Sequence, residues 1–150
     1  MRISNLLTTL AALATVTLAI PRLYVHSYCP FPIFISQDDI THEPTEITEI
    51  PENGEWSEEL STVPGIAVKI TPLHDDIWSP NRGVLTVGYT YTPNGWIYYD
   101  LGVHLYYPFD GFKAKLFGNG GGNFWDDEHE EPQKTVGYHG ETNLYLELCY

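Results

Sequence analysis

Four side chains with chemical potential alternate along one stretch, Val84 to Phe112, VLTVGYTYTPNGWIYYDLGVHLYYPFDGF: Trp96, Tyr98, Asp100 and, further on, His104. Aromatic rings beside a carboxylate suit sugars, whose C–H faces stack on the rings while their hydroxyls bond the acid. Cleaving a glycosidic bond asks for more, namely a second carboxylate about 5 to 10 Å away. Asp110 and the acidic run Asp126-Asp127-Glu128-His129-Glu130-Glu131 are the candidates for it. The competing reading of Trp96 and Tyr98 is structural, as rings that merely cover a sheet under a loop.

Other chemistries find less support. Carboxylates on a loop that follows the glycine run Gly118 to Gly122 can bind Ca²⁺ through oxygen, and His129 can add a nitrogen for a transition metal. The spacing matches no EF-hand or zinc motif. A solvated loop is therefore favoured over a metal site, and no metal or other cofactor is expected. The six histidines form no HExxH pair. A copper site built on an N-terminal histidine would require cleavage just before His26, and Tyr24-Val25 is a poor cleavage sequence. There is no Gly-x-Ser-x-Gly elbow, P-loop or dinucleotide fingerprint. Nucleophilic serine or cysteine catalysis has no visible basis.

The element that must position the four residues is a β-hairpin turning at Thr92-Pro93-Asn94-Gly95-Trp96. A two-residue Asn-Gly loop would pair Tyr91 with Tyr98 and Tyr89 with Asp100, mixing the apolar set of one strand with the polar set of the other. A three-residue loop, with Pro93 and Asn94 in a type I turn and Gly95 left-handed, pairs Tyr91 with Ile97, Tyr89 with Tyr99, Val87 with Leu101 and Leu85 with Val103. One face is then wholly apolar. The opposite face collects Thr86, Thr90, Thr92, Trp96, Tyr98, Asp100 and His104, and only that face is free for binding.

The chain of 150 residues, 43% hydrophobic and 14% aromatic, has room for one domain with a real core. Its eleven Tyr, eleven Pro and thirteen Gly, with strand-like alternation and no amphipathic helix after residue 20, predict an all-β protein rich in turns. Seven basic residues against twenty acidic ones give a formal charge of -13. Such a surface repels phosphate backbones and anionic lipids, which argues against nucleic acid and acidic membranes as partners. Neutral sugars, cations and basic proteins are compatible with it.

Residues 1–19, MRISNLLTTLAALATVTLA, read as a secretory signal: Arg2, an uncharged apolar run, then small residues where a signal peptidase cuts. The apolar run, about 15 residues, is short for a membrane span, and no later stretch qualifies as one. Residues 20–150 are expected to form a single exported domain, monomeric and free of any membrane span. Export bears on Cys29 and Cys149, the only cysteines, because an even pair in such a chain is usually bonded. The bond would clamp the first strand to the last.

Val25 to Ile35 reads as the first strand, with prolines that suit an edge or a bulge. Ser36 to Glu59 is polar and acidic, and predicts long loops with short strands at most. Gly65 to Thr71 places Ile66, Val68 and Ile70 on one side, as a core strand does. Leu73 to Arg82 reads as loop, Lys113 to Phe117 as a short strand, and Asn143 to Cys149 as the last strand, burying Leu144, Leu146 and Leu148. Residues 118–140 are expected to be a loose loop, the most mobile part of the domain.

Cys29-Pro30-Phe31-Pro32-Ile33-Phe34-Ile35, Gly54-Glu55-Trp56-Ser57-Glu58, Gly65-Ile66-Ala67-Val68-Lys69-Ile70, Tyr98-Tyr99-Asp100-Leu101, Pro108-Phe109-Asp110-Gly111-Phe112 and Leu144-Tyr145-Leu146-Glu147-Leu148-Cys149 together resemble the fungal Blastomyces yeast-phase-specific protein family. That family is in turn similar to thaumatin and osmotin-like proteins. The resemblance covers nearly the whole exported chain, and it implies a thaumatin-like antiparallel β-sandwich with long loops and a terminal disulfide clamp. The resemblance carries no established enzymatic activity for the fungal branch, and a non-enzyme is expected. Some plant thaumatin-like proteins carry an acidic cleft linked to β-1,3-glucan binding; Asp100 matches the acid of their Phe-Tyr-Asp motif. The next cleft acid falls at Leu105 by spacing, and Asp110-Gly111-Phe112 matches its motif only with five residues inserted. The expected function is a secreted, extracellular or cell-wall-associated binding protein, with Trp96, Tyr98, Asp100 and His104 as ligand residues. Its partner would be a neutral cell-wall polysaccharide or an extracellular protein. The alternatives are a weak β-glucan hydrolase using Asp100 and a second acid, and a metal-binding acidic loop.

Overall fold

In the computed structural model, which describes residues 20–40, 46–125 and 134–150, the hairpin is formed by β6 (Val84–Tyr91) and β7 (Trp96–His104). Tyr91 stands opposite Ile97, Tyr89 opposite Tyr99, Val87 opposite Leu101 and Leu85 opposite Val103, as the three-residue loop requires. The turn sets this register. Gly95 N–H donates to the Thr92 carbonyl at 2.9 Å, Thr92 N–H donates to the Trp96 carbonyl at 2.8 Å, and Gly95 sits at φ 84°, where a Cβ would be strained.

Around the hairpin a six-stranded sheet assembles from β3 (Thr48–Ile50), β2 (Ile33–Asp38), β5 (Ile66–Thr71) and β10 (Val136–His139), in the order β10-β7-β6-β5-β2-β3. A five-stranded sheet packs against it, from β4 (Glu55–Glu59), β1 (Arg22–Ser27), β11 (Leu144–Leu148), β8 (Ala114–Gly118) and β9 (Gly121–Trp125), in the order β4-β1-β11-β8-β9. Neighbouring strands are antiparallel except β1 and β11, which run parallel from Leu23 opposite Leu144 to Ser27 opposite Leu148. Leu23, Val25, Leu116, Leu144, Leu146 and Leu148 from one sheet meet Ile35, Val68, Ile70, Val87, Tyr99 and Leu101 from the other in a single buried cluster. Each such side chain stabilises the fold by about 1.5 to 3 kcal/mol relative to exposure. Cys29 and Cys149 are bonded, with Cα atoms 4.9 Å apart, at the adjoining ends of β1 and β11.

Two expectations need correction. Val25 to Ile35 is not one strand: β1 ends at Ser27 in the five-stranded sheet and β2 begins at Ile33 in the other. Pro30 and Pro32 lack the N–H a ladder needs, so the chain crosses between sheets at Cys29-Pro30-Phe31-Pro32. Nor is the glycine-rich stretch a loose loop, because β8 and β9 form a tight hairpin through Gly118 and Gly121, and β10 pairs with β7. The glycines serve close approach. A Cβ on Gly122 would come within 2.8 Å of the Leu116 carbonyl, and one on Gly120 within 2.8 Å of the Tyr138 Cβ. The acidic run Asp126 to Glu131 and the signal segment 1–19 lie outside the described residues. Among the described residues no helix is long and apolar enough to cross a membrane.

Candidate functional site

The two-residue period of β7 turns Tyr99 and Leu101 into the core, both fully buried, and places Trp96, Tyr98, Asp100, Gly102 and His104 on the outer face of the six-stranded sheet. Thr86, Gly88 and Thr90 lie beside them on β6, and Ala67 and Lys69 beyond on β5. At the turn end of this face Trp96 and Tyr98 stack with ring centroids 5.8 Å apart and planes 9° from parallel. They remain 39% and 42% exposed, so the stack is open to a ligand. His139 of β10 stands opposite Trp96 with its ring 5.0 Å away, and its Nε2 lies 3.2 Å from the Asn94 carbonyl oxygen. On the same edge Tyr98 leans over Gly137, where a Cβ would sit 3.2 Å from the ring.

Asp100 comes next, half-buried in mid-sheet. Its carboxylate lies over Gly88, where a Cβ would come within 2.7 Å of Oδ1, and Thr135 Oγ1 donates to Oδ2 at 3.4 Å. Together with Gly65, Thr90 and Tyr98 these groups line a depression of about 240 Å³. Its floor is low because Gly65 and Gly88 carry no side chains. Gly88→Ala should therefore push the carboxylate off the floor rather than disturb the strand, since the atom in the way is the free end of a side chain. Stability by urea denaturation is expected to change by less than about 1 kcal/mol, because the glycine also weakens the strand. A larger loss would mean that Asp100 is held rigidly.

His104 stands apart from the other three. Four residues beyond Asp100 on the same strand, it is on the order of 13 Å away. It lines a second depression of about 390 Å³ with Lys69, Ile77, Trp78, Thr86 and Val84, under the loop that carries a 3-10 turn at His74–Asp76. Asp110 lines neither depression and lies on the turn closed by Phe112 N–H and the Phe109 carbonyl at 2.9 Å. Asp100 is the sole carboxylate among the described residues lining its depression, and the acidic run offered as a source of a second acid lies outside the described residues. Among the described residues no cluster of three or more His, Cys, Asp or Glu could hold a metal ion.

Sequence reasoning missed His139, Trp78 and Lys69. His139 reaches the site only through the β7–β10 pairing, and Trp78 sits in a loop with no period to report its direction. The outer face of the five-stranded sheet also carries rings, Tyr24, Tyr145 and Phe117, but these stack on one another across strands, with centroids 5.2 and 5.4 Å apart. Their faces are occupied by neighbours, which suits a brace better than a binding surface.

Two packed sheets, a hairpin at the centre of the larger one and a clamp between the first and last strands define a thaumatin-like β-sandwich. The crystal structure of the protein elicitor MoHrip2 from Magnaporthe oryzae superposes with a TM-score of 0.70 at 19% identity, over 87% of this chain and 99% of that one. The thaumatin-like xylanase inhibitor TLXI superposes with a TM-score of 0.58 at 11% identity, over the same shares, 87% and 99%. The sequence matches the model of the Blastomyces yeast-phase-specific protein family over residues 10–150, and the chain belongs to that family. No curated protein matches it.

Proposed function

We propose that this is a secreted, non-catalytic binding protein that holds neutral cell-wall glycans on the outer face of its six-stranded sheet. The observation that carries the reading is the exposed Trp96–Tyr98 stack beside the Asp100 depression. Rings of that kind offer sugars a stacking surface, and Asp100, Thr90 and Thr135 offer hydroxyls hydrogen-bond partners. The charge of -13 disfavours anionic polymers and leaves uncharged sugars as the compatible class. The bonded cysteine pair supports an oxidising, extracellular setting. A protein elicitor and a xylanase inhibitor share the fold, and the name of neither describes an enzyme.

The test is a glycan array followed by calorimetry on the best neutral ligands, with Tyr98→Ala and Asp100→Asn as variants. Tyr98→Ala is expected to weaken binding at least tenfold, about 1.4 kcal/mol, while stability stays within roughly 1 kcal/mol of wild type. Glycan cleavage abolished by Asp100→Asn would replace the reading with a hydrolase. If no glycan binds, the glycan reading fails and the outer face loses its assigned role.

A further inference from the structure

Building on that reading, we propose that the outer face is one continuous track with a second anchoring subsite, formed by Lys69, Trp78, Thr86 and His104, so that the protein selects long neutral glycans over short ones. The second depression, about 390 Å³, falls within the usual range of small-molecule sites, roughly 300 to 1,000 Å³. It combines an apolar wall with polar groups: Ile77, Trp78 and Val84 on one hand, Lys69, Thr86 and His104 on the other.

Trp78 is held for this role. The Lys69 ammonium sits 4.1 Å from its ring centroid and forms an ion pair with Asp38 at 2.8 Å, which fixes the indole against the sheet while it stays 39% exposed. Because Asp38 neutralises Lys69, the subsite presents polar groups without a net cation. That favours hydroxyls over a carboxylate or phosphate.

Between the two ends the strand carries a glycine on its outer face. Gly102 lies on the outer face between Asp100 and His104, and a Cβ there would meet only the Thr86 carbonyl oxygen, at 4.0 Å. Trp96 and His104 are eight residues apart on one strand, on the order of 26 Å. A disaccharide therefore touches one anchor. A longer chain reaches both, and the second contact then forms at high effective concentration.

The experiment measures affinity by calorimetry for a disaccharide and a hexasaccharide, in two neutral series: β-1,3-linked glucose and β-1,4-linked N-acetylglucosamine. Wild type, Trp78→Ala and Gly102→Phe are compared. In the series that binds, wild type should prefer the hexasaccharide at least tenfold, and both variants should lose that preference while keeping wild-type affinity for the disaccharide. Thermal melts of the variants report whether each remains folded, and retained disaccharide binding shows it at the first site. Equal affinity for the two lengths, or a length preference that survives Trp78→Ala, overturns the second subsite and leaves the glycan reading intact. Absence of binding in both series and at both lengths removes the two together.

Discussion

A variant with Cys29→Ser and Cys149→Ser is expected to lose about 2 to 5 kcal/mol of folding stability, toward the upper end, as read by urea denaturation. The bond joins residues 120 apart, so its removal restores to the unfolded chain nearly all the freedom that cross-linking had taken away. Both half-cystines are packed into the core cluster, at 0% and 9% exposure, so serine there also leaves polar groups in an apolar setting. An unchanged denaturation midpoint would show that the unfolded chain is already compact enough for the cross-link to add nothing. Intact mass of the wild-type protein before and after reduction should show a gain of two hydrogen atoms, with no free thiol beforehand.

The second large effect separates the two faces of β7. Tyr99→Ala is expected to cost about 3 to 5 kcal/mol, whereas Tyr98→Ala, next to it in the chain, should cost under about 1 kcal/mol. Tyr99 is fully buried, and its hydroxyl donates to the Gly121 carbonyl at 2.7 Å, tying the central hairpin to β9 in the other sheet. Losing it opens a cavity and orphans an acceptor. Burial also raises the Tyr99 phenol above its ordinary value. Its neutral form therefore stabilises the fold below the unfolded tyrosine pKa of about 10, and that contribution is lost as pH rises through the higher folded value. Denaturation series should show Tyr99→Phe losing less stability than wild type in that alkaline range. Equal costs for Tyr98→Ala and Tyr99→Ala would mean that the outer face is covered and is no binding surface.

What could be read from the sequence was whatever depended on near neighbours. Pro93-Asn94-Gly95 with alternation on either side fixed the hairpin and its register, and hence which of Trp96, Ile97, Tyr98, Tyr99, Asp100 and Leu101 point outward. The alternating leucines of β11 and the lone cysteine pair were equally plain. Tertiary partners were not. The glycines of 118–122 look like slack in a sequence and are contact points in the structure, because the backbone of β8 and the side chain of Tyr138 press against them. Cys29 to Pro32 reads as strand by residue type, yet it is where the chain changes sheets. The two-residue period places Trp96, Tyr98, Asp100 and His104 on one face of β7, as the structure has them, but it does not report that His104 lines a different depression from Tyr98 and Asp100. His139 and Trp78 come from segments whose approach depends on the whole sheet.

The place of β11 has a consequence for biosynthesis. Among the described strands it is the last in chain order, yet it occupies the middle of the five-stranded sheet, between β1, the first of them, and β8. A growing chain can form the central hairpin and the β8–β9 hairpin early, since both are local, but β1 and β8 must wait with open edges until residues 144–148 emerge. The closing step is thus an insertion between two waiting edges, dominated by contacts of very long sequence separation. A chain lacking residues 141–150 would present those edges to its neighbours, and exposed strand edges favour aggregation.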